Sequence, residues 1–192
     1  MKAKVSKIKH GIPVGTEIPE RQHYGNIGYW IQEQLEDRGY KINTGVGPDL
    51  LEYGVEVKSR KIESSSPHTV GSMRIEDIIV TPYDQSTIKD KFQTQYRVKY
   101  SDEGQVVTEE SIYDLSNDYI QNRVREAYET GRKKISQNEI NGYHPPYVKG
   151  TEWGNFEITD SCGSYRFRIP DHSMRKIEKI SKNSELFGNL FE

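Results

Sequence analysis

A chain of 192 residues with net charge −2 and 33% hydrophobic residues is long enough for one folded domain with its own core. The near-neutral charge excludes a protein that coats nucleic acid through an all-basic surface, and the single cysteine, Cys162, excludes an internal disulfide and a cysteine-rich zinc site. No run approaches the roughly 20 apolar residues of a membrane span, and the start, MKAKVSKIKHGIP, lacks the apolar stretch of a secretion signal. The expectation is therefore a soluble, cytoplasmic protein with no membrane partner. Tyrosines, 13 of them, supply ring area that the aliphatic content lacks.

In chain order, residues 1–23 alternate Lys2, Lys4, Lys7 and Lys9 with small apolar residues and then pass Gly11, Pro13, Gly15 and Pro19, the pattern of an arm with turns. Its lysines read equally as phosphate contacts or as a solvated terminus. From Gly25 to Arg38, Ile27, Trp30, Ile31 and Leu35 recur at helical spacing with charges on the other face, and Gly39 is placed to cap the helix. Tyr40 to Thr44 reads as a short strand. Gly45, Gly47 and Pro48 then bend the chain into Asp49.

The stretch Gly47–Lys61, GPDLLEYGVEVKSRK, carries the chemistry. It reads as a hairpin: a strand from Asp49, a turn eased by Gly54, and a second strand from Val55 to Arg60. Alternation turns Val55 and Val57 to the core and Glu56 and Lys58 together to the other face, with Asp49 supplied by the neighbouring strand. Two carboxylates beside an ammonium suit Mg²⁺, a hard cation held through one or two carboxylates, waters and phosphate. Asp49 and Glu56 are the expected ligands, with the Val57 carbonyl as a further oxygen, and Mn²⁺ is expected to substitute. Such an ion polarises a phosphodiester and makes bound water more acidic, while Lys58 orients the water or offsets charge on phosphorus. The plainer reading of Glu-x-Lys is a surface ion pair of little worth. Asp49 after a proline, the intervening turn and the β-branched residues of the second strand favour the metal site.

Past Arg60 and Lys61, the segment ESSSPHTVGS reads as an exposed loop that takes part in binding or simply connects, with His68 in a structural or inert role. Ile78 to Thr81 reads as a strand. Gln93–Tyr100 and Gln105–Tyr113 both alternate, with Asp102-Glu103-Gly104 as the turn between them and Arg97 and Lys99 on one face. Asn117 to Ile135 is a second helix with an apolar stripe of Tyr119, Ile120, Val124, Ala127 and Tyr128. Its Arg123, Arg125, Arg132, Lys133 and Lys134 either complement the dipole of the last turn or contact phosphate. Residues 141–158 are loop-rich and aromatic. His144, Tyr147, Lys149 and Trp153 lie within reach of a nucleic-acid groove there, although Trp153 and Phe156 suit the core better. Two strands around a Ser-Cys-Gly-Ser turn and a final amphipathic helix complete the chain.

The Asp49–Lys58 stretch resembles the core motif of the PD-(D/E)xK nuclease superfamily. Within it, the seven-residue step from Asp49 to Glu56 and the phrase Gly54-Val55-Glu56-Val57-Lys58 are similar to the MutH-type mismatch-repair nicking enzymes and related type II restriction endonucleases. Gly25 and Gly28 match the helix start of that type, which carries a glutamate four residues after the second glycine. This chain has Gln32 there and Glu33 next, so either is the expected fourth site residue. Gly163–Pro170, GSYRFRIP, resembles a strand of the same type whose arginine lies at the DNA face, here Arg168, displaced by one residue.

The resemblance implies an α/β, restriction-endonuclease-like core, a mixed β-sheet flanked by helices. It implies one nuclease domain, with an arm at 1–23, a catalytic core at 24–115 and a DNA-contacting part at 116–192. The expected activity is Mg²⁺-dependent endodeoxyribonuclease cleavage, most like that of a site-specific type II restriction or nicking endonuclease. Asp49, Glu56 and Lys58 are its catalytic residues. Arg60, Lys61, Arg97, Lys99, Tyr147, Lys149, Arg166 and Arg168 are expected on double-stranded DNA, and the protein acts as a homodimer or as a monomer nicking each strand in turn. Two alternatives stand beside this: a structure-specific repair or recombination nuclease, and a non-catalytic DNA-binding or partner subunit on a nuclease scaffold.

Overall fold

The computed structural model describes residues 11–19, 27–101, 105–159 and 163–188, with side chains described as far as Ser181. The arm lysines, Gly25, the Asp102–Gly104 turn and Cys162 lie outside the described residues. The helices are α1 (Ile27–Glu36), α2 (Ile75–Val80), α3 (Thr87–Lys91), α4 (Asp118–Ile140) and α5 (Asp171–Gly188), with a 3₁₀ turn at Tyr83–Gln85. The strands are β1 (Val55–Lys61), β2 (His68–Arg74), β3 (Thr94–Ser101), β4 (Val106–Asp114), β5 (Tyr147–Thr151), β6 (Gly154–Thr159) and β7 (Ser164–Ile169). The protein is mixed α/β, but its strands form two sheets, β1-β3-β4 and β2-β7-β6-β5, where the sequence reading expects one.

The chain divides into two interleaved compact units. The first holds the described residues up to Ser64 and returns for Gln93–Asp114; the second holds Ser65–Phe92 and the chain from Leu115 onward. The expected core at 24–115 is thus interrupted, because residues 65–92 build the other unit. Strand β2 explains why: it pairs antiparallel with β7, through an irregularity between Thr69 and Gly71.

In the first unit, β1 and β3 run parallel, with Val55 opposite Thr94, and β4 closes antiparallel on β3. Alternation gives this sheet two characters. Val55, Val57, Tyr96, Val98 and Val107 join Ile27, Trp30, Ile31 and Leu35 of α1 in one apolar cluster. Glu56, Lys58, Gln95, Arg97 and Lys99 take the opposite face. Gly39, at φ +87°, ends α1 as expected. The 11–19 segment is no free arm: Ile12 and Ile18 are buried in the same cluster, and Gly15 N–H donates to the Val107 carbonyl at 2.8 Å. Tyr40–Thr44 is not a strand. Asn43 instead organises a loop, its carboxamide oxygen accepting from Gly45 N–H and its Nδ2 donating to the Val46 and Pro48 carbonyls at 3.0, 3.1 and 3.2 Å. The expected first hairpin strand shrinks to a single bridge between Leu50 and Val55.

In the second unit, Ile78–Thr81 is not a strand either. Ile75 and Ile78, one helical step apart, are the buried positions of α2, while Val80 is 74% exposed. Glu76 and Asp77 fall in its first turn, where the helix dipole favours anions. The ESSSPHTVGS stretch also differs, since β2 occupies its second half. Helix α4 starts at Asn117, whose side chain accepts from Tyr119 N–H at 2.9 Å. It runs on to Ile140, so Arg132, Lys133 and Lys134 are mid-helix and no basic residue lies in its last turn. Arg132 is held by Glu129 and by the Ile79 carbonyl, at 2.7 and 2.9 Å. The buried face of α4 packs on the inner face of the sheet, where Tyr128, Phe156 and Phe167 meet ring to ring at 5.1–5.9 Å. Trp153 and Phe156 are buried, as expected. The 141–153 loop contains a strand, β5, although Pro145 and Pro146 precede it.

Buried tyrosines set an alkaline limit on both units. Burial raises Tyr83, Tyr96 and Tyr128 above the ordinary value of 10.0, and Tyr128 is pushed up to about 12, by burial first and then by the Glu129 charge. A folded-state value above the unfolded one means stability is fully present below pH 10 and is lost as pH rises toward 12. In an alkaline titration, tyrosinate absorbance is expected to rise in two phases. The later phase, from the buried tyrosines, is expected only together with loss of the circular-dichroism signal.

Candidate metal centre

The loop shaped by Asn43 delivers Asp49 to the open edge of β1. Asn43 N–H donates to the Asp49 carbonyl at 2.7 Å, and Gly47 adopts φ +110°, a backbone state that favours glycine. Leu50 and Val55 then exchange both backbone hydrogen bonds, at 2.8 and 3.2 Å. Two residues on, the same edge presents the N–H and C=O of Val57. The N–H donates to Asp49 Oδ2 at 2.9 Å, which docks the carboxylate directly on the strand. Its other oxygen accepts from Gln32 Nε2 at 3.4 Å.

Glu56, on the same strand, is 1% exposed. Lys58 Nζ lies 2.6 Å from its Oε1, with the lysine side chain 28% exposed, so the ammonium touches both the buried carboxylate and solvent. The carboxylates of Asp49 and Glu56 and the carbonyl of Val57 are three oxygen donors on one short segment. Among the described residues no three His, Cys, Asp or Glu side chains gather around a metal position. A cation here would have two carboxylates, a backbone oxygen and water to draw on. That donor set fits Mg²⁺, which keeps several waters, rather than zinc or a multi-carboxylate calcium site.

Of the two candidates on α1, Gln32 faces the site. Glu33, one residue and about 100° round the helix, is exposed. Lys99 is paired with Glu109 at 3.0 Å. Arg60 donates to the Ser64 carbonyl at 2.6 Å, and Lys61 is half-buried at the end of β1. Arg97 departs from its expected surface role. It is 6% exposed, with Nε and Nη2 donating to Gln95 Oε1 at 3.0 and 2.6 Å and the guanidinium lying 5.7 Å from the centre of the Tyr113 ring. Alternation assigned it the correct face of β3, but alternation carries no information about what covers that face.

In the second unit the remaining candidates share the outer face of the sheet. Across the strands, Tyr147 is followed by Glu157, Arg166 and Ser72, and Lys149 by Asn155, Arg168 and Thr69. Tyr147, Lys149 and Arg166 are exposed. Arg168 is committed within the fold, to the Glu157 carboxylate and to the Pro67 carbonyl at 3.0 Å. Arg74, two residues from Ser72 and 72% exposed, joins this face. The sequence reading missed it because β2 was taken for a loop. His68 pairs with Asp171 at 3.1 Å, which fits its expected structural role.

No protein-family model matches the sequence, and no curated protein matches it. Among the described residues no helix is long and apolar enough to cross a membrane.

Proposed function

We propose that this chain is a Mg²⁺-dependent endodeoxyribonuclease with a restriction-endonuclease-like core, cutting or nicking double-stranded DNA at a defined site. The observation that carries the reading is the docking of Asp49 onto the strand that bears Glu56 and Lys58. The helix α1 ahead of this segment and the mixed sheet β1-β3-β4 support the fold assignment. Asp49, Glu56 and the Val57 carbonyl hold the ion. When bound, Mg²⁺ supplies charge to the scissile phosphate and raises the acidity of water. Lys58 orients the attacking water, or neutralises charge that develops on the phosphoryl oxygens. Lys149, Arg166 and Arg74 offer cations to the phosphate backbone, and the exposed Tyr147 ring offers an apolar surface among them. Cutting both strands requires a homodimer or successive nicks by one copy.

A non-catalytic DNA-binding subunit is the second reading, favoured by Gln32 beside Asp49 where the resemblance leads one to expect a carboxylate. One experiment separates the two. Supercoiled plasmid is incubated with the protein in Mg²⁺ and in EDTA, beside Glu56→Gln. The expected result is open-circular or linear product in Mg²⁺ alone, and none from the variant. Retained DNA binding without cleavage of duplex, branched or methylated substrates overturns the nuclease reading and leaves the scaffold one.

A further inference from the structure

We propose that Gln95, gripped by Arg97, is the positioning residue for Glu56. The inference rests on the metal-site reading above. The parallel register of β1 and β3 sets Gln95 beside Glu56 and Arg97 beside Lys58, on the face opposite the apolar cluster. Gln95 and Glu56 are each 1% exposed. Two buried polar side chains and a buried guanidinium on one sheet face are expensive to desolvate unless they satisfy one another.

The chemistry fixes how the amide is turned. Arginine has only donors, so the amide atom facing it must be oxygen, and Oε1 accepts from both Nε and Nη2. The guanidinium lies against Tyr113, which stands opposite Gln95 on β4. Glu56 is the register partner of Gln95 on β1, so the NH₂ left over once Oε1 is taken by Arg97 is the donor we assign to Glu56. A donor placed there would hold the rotamer of the carboxylate that the ion is to meet, with Arg97 holding the amide in turn. Groups standing behind a metal ligand typically change affinity by about 10–100-fold when removed.

The test is Mn²⁺ binding to the full chain by titration calorimetry. Wild type, Glu56→Gln, Gln95→Leu and Arg97→Lys are compared, with the Mg²⁺ half-saturation of plasmid cleavage measured alongside. Gln95→Leu is expected to weaken Mn²⁺ binding by about 10–100-fold and to raise the Mg²⁺ requirement in step. Arg97→Lys keeps the charge but loses the two-pronged grip, so it shifts both quantities in the same direction by less. It decides the matter if Gln95→Leu does not fold. Wild-type Mn²⁺ affinity in both variants, with binding lost in Glu56→Gln, overturns the role of Gln95 and leaves the metal site standing. Equal binding by Glu56→Gln and wild type removes the metal site, and this proposal with it.

Discussion

Replacing Lys58 by Met is expected to slow DNA hydrolysis by about 10²–10⁴-fold, the usual worth of a group that handles a proton or water in the transition state, while Mn²⁺ still binds. The separation follows from where the ammonium sits. It contacts Glu56 Oε1 at 2.6 Å, yet its side chain is 28% exposed, so it stands between the buried carboxylate and the position open to a water. Without the ammonium, the buried Glu56 carboxylate loses the cation 2.6 Å from its Oε1, and a bound metal would supply positive charge in its place. Affinity for the ion should therefore hold or rise. The metal-free variant should melt lower than wild type, and Mn²⁺ should recover more of that loss than it adds to wild type, since a ligand that binds only the folded state stabilises it by mass action. Single-turnover cleavage and Mn²⁺ titration on the same preparation check the point. If rate and affinity fall together, Lys58 serves to place Glu56 and not to act on water.

The second large effect is expected at Gly150. A Cβ built there falls well inside van der Waals contact with the Ala127 carbonyl oxygen of α4 and with the Gly154 carbonyl oxygen at the start of β6. Both obstacles are backbone, so no rotamer change relieves them, and β5 would have to move off the helix. Gly150→Val is expected to cost about 3 kcal/mol or more, a fall in Tm of roughly 6–12 °C for a chain of this size. Gly131→Ala makes the informative comparison. Its Cβ meets the Phe156 ring, a buried side chain packed on Tyr128, Tyr165 and Phe167 that would have to move, while alanine favours the helix by about 1 kcal/mol over glycine. Thermal unfolding followed by circular dichroism should rank Gly150→Val well below Gly131→Ala. A Gly150→Val protein melting with the wild type would mean that β5 is not held against α4 as described.

The elements most legible in the sequence were those whose periodicity runs for several residues. Helices α1 and α4 and the strands β3, β4, β6 and β7 all lie where alternation or helical spacing puts them. Short apolar runs misled: Ile78-Ile79-Val80 fits either period, and the tertiary contacts of Ile75 and Ile78 decided for the helix. Strand β2 was illegible because half its residues are small or polar and its partner, β7, lies about 100 residues away. The candidate site fared better for its centre than for its surroundings. Local alternation and one turn dock Asp49 on the Val57 N–H and set Lys58 against Glu56. Gln95 escaped notice because its relevance depends on which strand lies beside β1, and that is a property of topology. Arg97 was given to the surface for the same reason.

The chain passes from the first unit to the second after Ser64, comes back at Gln93 and leaves again after Asp114. No single cut therefore yields either unit whole. A fragment ending at Asp114 would carry β2 without β7, and one starting at Leu115 would leave the β7 edge unpaired, the kind of open edge that invites association between copies. Gene rearrangement that moves contiguous stretches cannot pass on one unit and leave the other behind. The Asp49–Lys58 segment and the face of Lys149 and Arg166 therefore cannot be parted by one cut that leaves both units whole.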